Sequence, residues 1–144
     1  MKQVVCVKWG AKYGPEYVNR LYAMVARHLQ PPFRFVCLAD TPAGLRPEVE
    51  FFELPELGCA HPVGTMGKWR KQVLWAREVP GLTGVALFID LDSVIVSPLD
   101  DYFTSGEPGE VILARNWARP LKRLGQTSVF RYPVGANPHI LDNF

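Results

Sequence analysis

Val85-Ala-Leu-Phe-Ile-Asp-Leu-Asp92 is the stretch of sequence that decides the fold. A short run of consecutive apolar residues is typical of a strand buried on both faces of a parallel sheet. Two aspartates directly after such a strand need a reason, because aspartate is disfavoured within strands. Ligands of α/β proteins bind outside the carboxyl ends of the strands, which is where Asp90 and Asp92 fall.

The spacing of Asp90 and Asp92 allows both carboxylates to turn toward one cation. Hard cations such as Mg²⁺ and Mn²⁺ take oxygen ligands, commonly one or two carboxylates together with substrate phosphates. We therefore predict a Mn²⁺ or Mg²⁺ site at these two residues, where the cation would neutralise a diphosphate and stabilise it as it leaves. The alternative is an ordinary turn or helix cap, in which Asp92 ahead of Ser93 bonds the local backbone.

The segments before this stretch predict a β-α-β-β order. Residues 4–7 form a short apolar run, and Pro15 suits the first turn of a helix that follows at helical apolar spacing. Residues 33–38 and 49–54 predict two further strands. Because a helix separates the first two strands, parallel pairing between them is the natural solution.

The remaining segments complete an α/β pattern. Apolar residues on one face of 69–76 predict a second helix, and strands are predicted at 85–89, 94–96, 111–114 and 128–132. Together these elements predict a three-layer α/β/α sandwich with a mostly parallel sheet. A length of 144 residues fits a single domain, 1–144.

Composition and charge exclude several classes of protein. A net charge of +2 is too small to indicate a nucleic-acid partner. The first residues are too polar for a signal peptide, and no stretch approaches the length of a transmembrane segment, so we expect a cytoplasmic location. Cys6, Cys37 and Cys59 cannot build a disulfide framework and are expected to be reduced. Cys59 and His61 are too compact and isolated to form a zinc site.

The stretch Leu87-Phe-Ile-Asp-Leu-Asp-Ser-Val-Ile-Val-Ser-Pro-Leu-Asp-Asp-Tyr-Phe103 resembles the strand, Asp-x-Asp motif and short helix of GT-A-fold glycosyltransferases. The resemblance is closest to bacterial proteins related to the family 8 type, which are nucleotide-diphospho-sugar transferases. Four further blocks are similar to segments of those proteins in the same order, namely Tyr17-Val-Asn-Arg-Leu-Tyr22, Phe35-Val-Cys-Leu-Ala-Asp40, Trp69-Arg-Lys71 and Thr127-Ser-Val-Phe-Arg-Tyr132.

The resemblance implies a metal-dependent hexosyl transfer from a nucleotide-diphosphate sugar, UDP-hexose, to an acceptor hydroxyl. Asp90 and Asp92 match the motif whose Mn²⁺ or Mg²⁺ bridges the two donor phosphates. Lys71 matches a basic residue that faces the donor diphosphate, although a solvated surface lysine is the alternative.

The resemblance also assigns residues to the nucleoside. Asp40, at the end of the second strand, matches a position that contacts the nucleoside, while a loop-entry residue that caps a turn is its alternative. Trp9, Gly10 and Tyr13 follow the first strand, where such proteins hold the base. An aromatic ring there can stack on uracil, and packing within the loop is the alternative.

The end of the chain departs from the family. Family members continue with an Asp-Gln segment and a later histidine of the metal site, and His139 does not lie in that context. Ile140, Leu141 and Phe144 have the spacing of a first helical turn that no cap residue ends. We expect either a docked tail or an incomplete GT-A domain without its acceptor half, which leaves the catalytic residues unassigned and the activity in question.

Two other functions remain open from the sequence. Asp90-Leu-Asp-Ser-Val94 also fits the nucleophile motif of haloacid-dehalogenase-type, Mg²⁺-dependent phosphatases, although that motif usually lies on the first strand of its fold. A non-catalytic, truncated nucleotide-binding module is the third possibility. Its unfinished sheet would expose apolar surface, and it therefore predicts a homo-oligomer.

Overall fold

The computed structural model describes residues 1–58 and 68–144, and six strands in these ranges form one sheet. The strands are β1 (Lys2–Lys8), β2 (Phe33–Ala39), β3 (Glu50–Glu53), β4 (Val85–Ile89), β5 (Ile112–Arg115) and β6 (Gly125–Pro133). Their order across the sheet is β3-β2-β1-β4-β6-β5. Neighbours from β3 to β4 pair in parallel, whereas β6 is antiparallel to both β4 and β5. The predicted parallel pairing of the first two strands is confirmed.

Helix α1 (Pro15–His28) covers one face of the sheet. Pro15 lies at its start, and Arg27 and His28 lie in its last turn, where cations are favoured. Its fully buried residues Val18 and Leu21 share one core cluster with side chains of β1, β2 and β4. This helix was predicted from the sequence and is confirmed.

A 3₁₀ helix, Lys68–Trp75, covers the opposite face. Val73 and Leu74 are buried there, and the Trp75 ring stacks on the Phe130 ring of β6 at 5.3 Å. The predicted three-layer α/β/α sandwich with a mostly parallel sheet is thereby confirmed. The second helix was predicted in the right place, but its hydrogen bonding is 3₁₀ rather than α.

The predicted strand at 94–96 is wrong. Both sides of β4 are already paired, with β1 and β6, so this segment cannot add a strand beside the one that it follows. Val94 and Val96 are instead 76% and 82% exposed, while Ile95 packs against the α1 side of the core. The segment is tied back at its far end, where the Leu99 N–H donates to the His28 carbonyl at 2.7 Å.

Helix α2 (Asp101–Thr104) and the segment after it are held by Arg131 of β6. Arg131 is 2% exposed, and its two terminal nitrogens donate to four backbone carbonyls, those of Tyr102, Ser105, Glu107 and Glu110, while Nε has no partner among the described residues. These contacts between a buried cation and carbonyl dipoles hold α2 and the segment after it against the sheet.

The two described cysteines, Cys6 and Cys37, lie in the core of the sheet. Cys6 and Cys37 are free, buried and opposite each other in the β1–β2 pair, and burial raises the pKa of the Cys6 thiol. Cys59 and His61 lie outside the described residues.

Helix α3 (His139–Asp142) contacts the 3₁₀ helix, and the Phe144 ring lies 5.1 Å from the Trp69 ring. Within the described ranges, no helix has the length and apolar character needed to cross a bilayer.

Candidate functional site

Asp90 and Asp92 lie at the carboxyl end of β4, beyond the last strand residue. The Asp90 N–H donates to the Ser128 carbonyl of β6 at 2.8 Å, so the β4–β6 ladder continues to this residue. The Ser93 N–H then donates to the Asp90 carbonyl at 3.1 Å, which starts a turn. Asp90 is therefore fixed by the sheet, whereas the exposed Asp92 is carried by the turn.

A cleft of about 190 Å³ opens at this edge of the sheet. The carboxyl ends of the parallel strands β1 and β4 meet there, as expected for a ligand site of an α/β protein. The side chains around it combine carboxylates, ammonium groups and aromatic rings. They are Val7, Lys8, Trp9, Lys12, Tyr13, Lys71, Phe88, Asp90, Leu91 and Asp92.

Lys71 provides a positive charge beside the first carboxylate. Its Nζ atom lies 3.6 Å from Oδ2 of Asp90, donates to the Thr127 carbonyl at 3.1 Å and sits 5.5 Å from the centre of the Phe88 ring. Burial raises the pKa of Asp90, and the nearby charge of Asp92 adds to this effect. The positive charge of Lys71 acts in the opposite direction. The Lys71 ammonium is therefore the cation that offsets part of the burial of Asp90 in this cleft.

Tyr13 contacts the second carboxylate. Its hydroxyl group donates to Oδ2 of Asp92 at 3.2 Å, which joins the loop after β1 to the turn after β4. The Tyr13 ring packs edge-on against Tyr17 of α1 at 4.7 Å, and Lys12 Nζ lies 5.1 Å from the ring centre.

Asp40, at the end of β2, holds the loop that carries the aromatic residues. Its Oδ2 accepts a hydrogen bond from the Gly10 N–H at 2.8 Å, and its Oδ1 lies 3.7 Å from Nζ of the buried Lys8. Gly10 has φ +63°, a conformation that favours glycine. Gly10 and Asp40 are not among the described residues that line the cleft. The contacts of Asp40 agree with the alternative in which it fixes a loop, and its contact with a nucleoside stays a prediction.

The residues of the cleft fit a hard divalent cation. Asp90 and Asp92 both line it and supply oxygen ligands, and such cations often complete their shell with substrate phosphates and water. Within residues 1–58 and 68–144, no group of three or more His, Cys, Asp or Glu side chains is arranged to hold a metal ion. A cation here would consequently depend on ligands from the substrate as well as from the protein.

Several residues of the site were not predicted from the sequence. Lys8 ends β1 and Lys12 lies in the loop after it, at the carboxyl edge of the sheet where ligands of α/β proteins bind. Thr127 and Ser128 reach the site because β6 runs antiparallel to β4 and begins at the cleft. That pairing was not evident from the sequence.

Comparison with known proteins identifies the architecture. No family model matches the chain, and no curated protein matches its sequence. The crystal structure of the galactosyltransferase LgtC in complex with donor and acceptor sugar analogues matches over 97% of this chain, with a TM-score of 0.70 and 10% sequence identity. The chain has the GT-A fold.

The GT-A fold predicted from the Asp-x-Asp stretch is therefore confirmed. The matched region is 61% of the LgtC chain, so this protein spans less than two thirds of that galactosyltransferase. At 10% identity the likeness concerns the fold, and relationship to the bacterial family 8 type stays a prediction.

Proposed function

We propose that this chain binds a nucleotide-diphosphate sugar in the cleft and transfers the sugar to an acceptor hydroxyl. A Mn²⁺ or Mg²⁺ ion held by Asp90 and Asp92 takes part, and UDP-hexose is the donor. The observation that carries the proposal is that both carboxylates share one cleft with the ammonium of Lys71 and the rings of Trp9 and Tyr13. The position of the cleft agrees with it, because the cleft lies at the carboxyl edge of parallel strands, where α/β proteins bind ligands.

The polar half of the cleft suits the diphosphate. When bound, the cation supplies Lewis-acid stabilisation of the departing diphosphate. The ammonium of Lys71, 3.6 Å from Asp90, adds a second positive charge where negative charge develops. In the reaction, the acceptor oxygen bonds to the anomeric carbon and releases its proton to the solvent. The bond from that carbon to the diphosphate oxygen breaks, and its electron pair stays on the oxygen.

The aromatic half of the cleft suits the nucleoside. Trp9 and Tyr13 line it and lie on the loop that Asp40 holds through Gly10. An aromatic face in this position stacks on a planar base. A loop that is fixed before the ligand arrives loses little entropy when the base binds.

The decisive experiment is calorimetric titration of the full chain with UDP, with and without Mn²⁺. We expect binding that strengthens with Mn²⁺, and we expect Asp92→Ala to remove this dependence. Asp101→Ala is the matched control, since Asp101 is an exposed aspartate at the start of α2. UDP binding that ignores both the metal and the Asp92 substitution would remove the proposal.

A second expectation concerns Lys71. Because its ammonium lies in the cleft, Lys71→Gln is expected to weaken UDP binding by about 10–100-fold, the usual scale of one hydrogen-bonded charge. The exposed Lys122 serves as control, and Lys122→Gln should bind UDP as the unchanged protein does. Equal affinities of the two variants would show that Lys71 does not contact the ligand.

Turnover separates this function from the two others that the sequence left open. Hydrolysis of a simple phosphomonoester that disappears in Asp90→Asn would favour the phosphatase. Metal-dependent UDP binding without hydrolysis or transfer of the sugar from UDP-hexose would favour a non-catalytic nucleotide-binding module. Gel filtration tests the self-association that this module predicts.

A further inference from the structure

We propose that the hydroxyl group of Tyr13 holds the carboxylate of Asp92 in position for the divalent cation, which makes Tyr13 a positioning residue. This inference rests on the metal site proposed above. It gives Tyr13 a second task beside that of its ring, since the ring lines the cleft and the hydroxyl contacts a carboxylate.

Asp92 needs such support more than Asp90 does. Asp90 is fixed by its backbone bond to Ser128, whereas Asp92 is exposed and follows in the turn. The Tyr13 hydroxyl donates to Oδ2 of Asp92 at 3.2 Å. A carboxylate offers about four lone-pair positions, so one donated hydrogen bond leaves room for a cation on the same group.

Tyr13 is itself held in place from two sides. Its ring packs against Tyr17 of α1 at 4.7 Å, and its loop is anchored where the Gly10 N–H donates to Asp40. The hydroxyl is therefore a donor that β2 and α1 fix in space. A fixed donor beside an exposed carboxylate is the arrangement by which outer groups orient metal ligands.

A consequence is that the base and the cation meet at one residue. A nucleoside that packs on the Tyr13 ring restrains the same side chain that orients Asp92. A bound nucleoside is therefore expected to strengthen cation binding. Linkage then requires a bound cation to strengthen nucleoside binding by the same factor.

Removal of the hydroxyl tests the inference, because Tyr13→Phe keeps the ring. Mn²⁺ binding to the full chain is measured from the electron paramagnetic resonance signal of the free ion. We expect Tyr13→Phe to weaken Mn²⁺ binding by about 10–100-fold, the usual effect of losing an outer partner of a metal ligand. The thermal midpoint should remain that of the unchanged protein. Tyr22→Phe is the control, because Tyr22 packs on Phe35 away from the cleft.

The outcomes distinguish this inference from the proposed function. Unchanged Mn²⁺ affinity in Tyr13→Phe, with weakened affinity in Asp92→Ala, overturns the role of Tyr13 and leaves the metal site standing. Mn²⁺ binding that is absent, or that ignores Asp92→Ala, overturns both. Parallel losses of Mn²⁺ affinity and thermal midpoint in Tyr13→Phe would show a general structural role and overturn the inference.

Discussion

Substitution of Arg131 by methionine tests how a buried cation held by backbone carbonyls stabilises this fold. Arg131 is 2% exposed, and its guanidinium donates to the carbonyls of Tyr102 (3.3 Å), Ser105 (2.8 Å), Glu107 and Glu110 (3.2 Å). Arg131→Met keeps an apolar stem of similar length and removes all of these donors.

The expected loss follows from two opposing contributions. Hydrogen bonds from a charged donor contribute about 1.5–3 kcal/mol each, so four of them set an upper limit of roughly 6–12 kcal/mol. Most of this is offset, because Ser105, Glu107 and Glu110 are exposed residues whose carbonyls can turn to water, and because methionine needs no desolvation of a charge. We expect a net decrease of about 2–4 kcal/mol in the free energy of unfolding.

Urea denaturation followed by tryptophan fluorescence measures this decrease. The slope of the free energy with urea should stay unchanged while the midpoint falls. Arg123→Met is the control, because Arg123 is exposed and its loss should change stability by less than about 0.5 kcal/mol. If Arg131→Met behaved like this control, the four carbonyl contacts would contribute no net stability and the reasoning would be refuted.

Two further substitutions test local features of the fold. Gly135 has φ +75°, and a Cβ atom there would lie 2.4 Å from the Arg77 carbonyl oxygen. We therefore expect Gly135→Ala to lower the free energy of unfolding by at least about 2 kcal/mol, as measured by thermal denaturation. The hydrogen bond from Arg34 lowers the pKa of Glu50, so its stabilising contribution is complete above the ordinary glutamate pKa and is lost as pH falls through the folded-state pKa. As pH is lowered, the urea midpoint should accordingly decline less in Glu50→Gln than in the unchanged protein.

Matched variants control both tests. Gly109→Ala should leave the thermal midpoint unchanged, because a Cβ atom at Gly109 meets nothing within 4 Å. Equal effects at Gly135 and Gly109 would contradict the steric argument. For the acid side, Glu56→Gln is the comparison, since the Glu56 side chain is 88% exposed. An acid-side decline in Glu50→Gln as steep as in Glu56→Gln would show that the Arg34 contact does not contribute.

The central elements of the fold were predictable because their signals are local. An apolar run or an apolar helical spacing indicates that a segment is buried, and this signal does not depend on which elements bury it. The strands β1, β2 and β4 and the helix α1 carry such signals. The segment 94–96 has the same β-branched character, yet strand formation also needs an unpaired neighbouring strand, and β1 and β6 already occupy both sides of β4. Pairing partners are set by the whole chain, so that segment could not be distinguished from a true strand.

The residues of the candidate site likewise differ in whether a local signal in the sequence marks them. Asp90 and Asp92 are exceptional where they stand, directly after a buried strand, and the sequence alone draws attention to them. Lys71 and Tyr13 gained their expected places from resemblance to other proteins, since a lysine or tyrosine in a loop or helix carries no local sign of function. The hydrogen bond from Tyr13 to Asp92 joins residues far apart in the chain, and the parallel pairing of β1 with β4 brings the two segments that carry them together.

The segment from Leu91 to Pro98 is secured at both of its ends. Asp90 bonds to Ser128 on one side, and Leu99 bonds to His28 at 2.7 Å on the other. A short segment with anchored ends samples few conformations, so holding Asp92 against a ligand costs little chain entropy. Capture of a ligand here should consequently show a small entropic penalty in calorimetry, and substitutions that free either anchor should enlarge that penalty before they alter any direct contact.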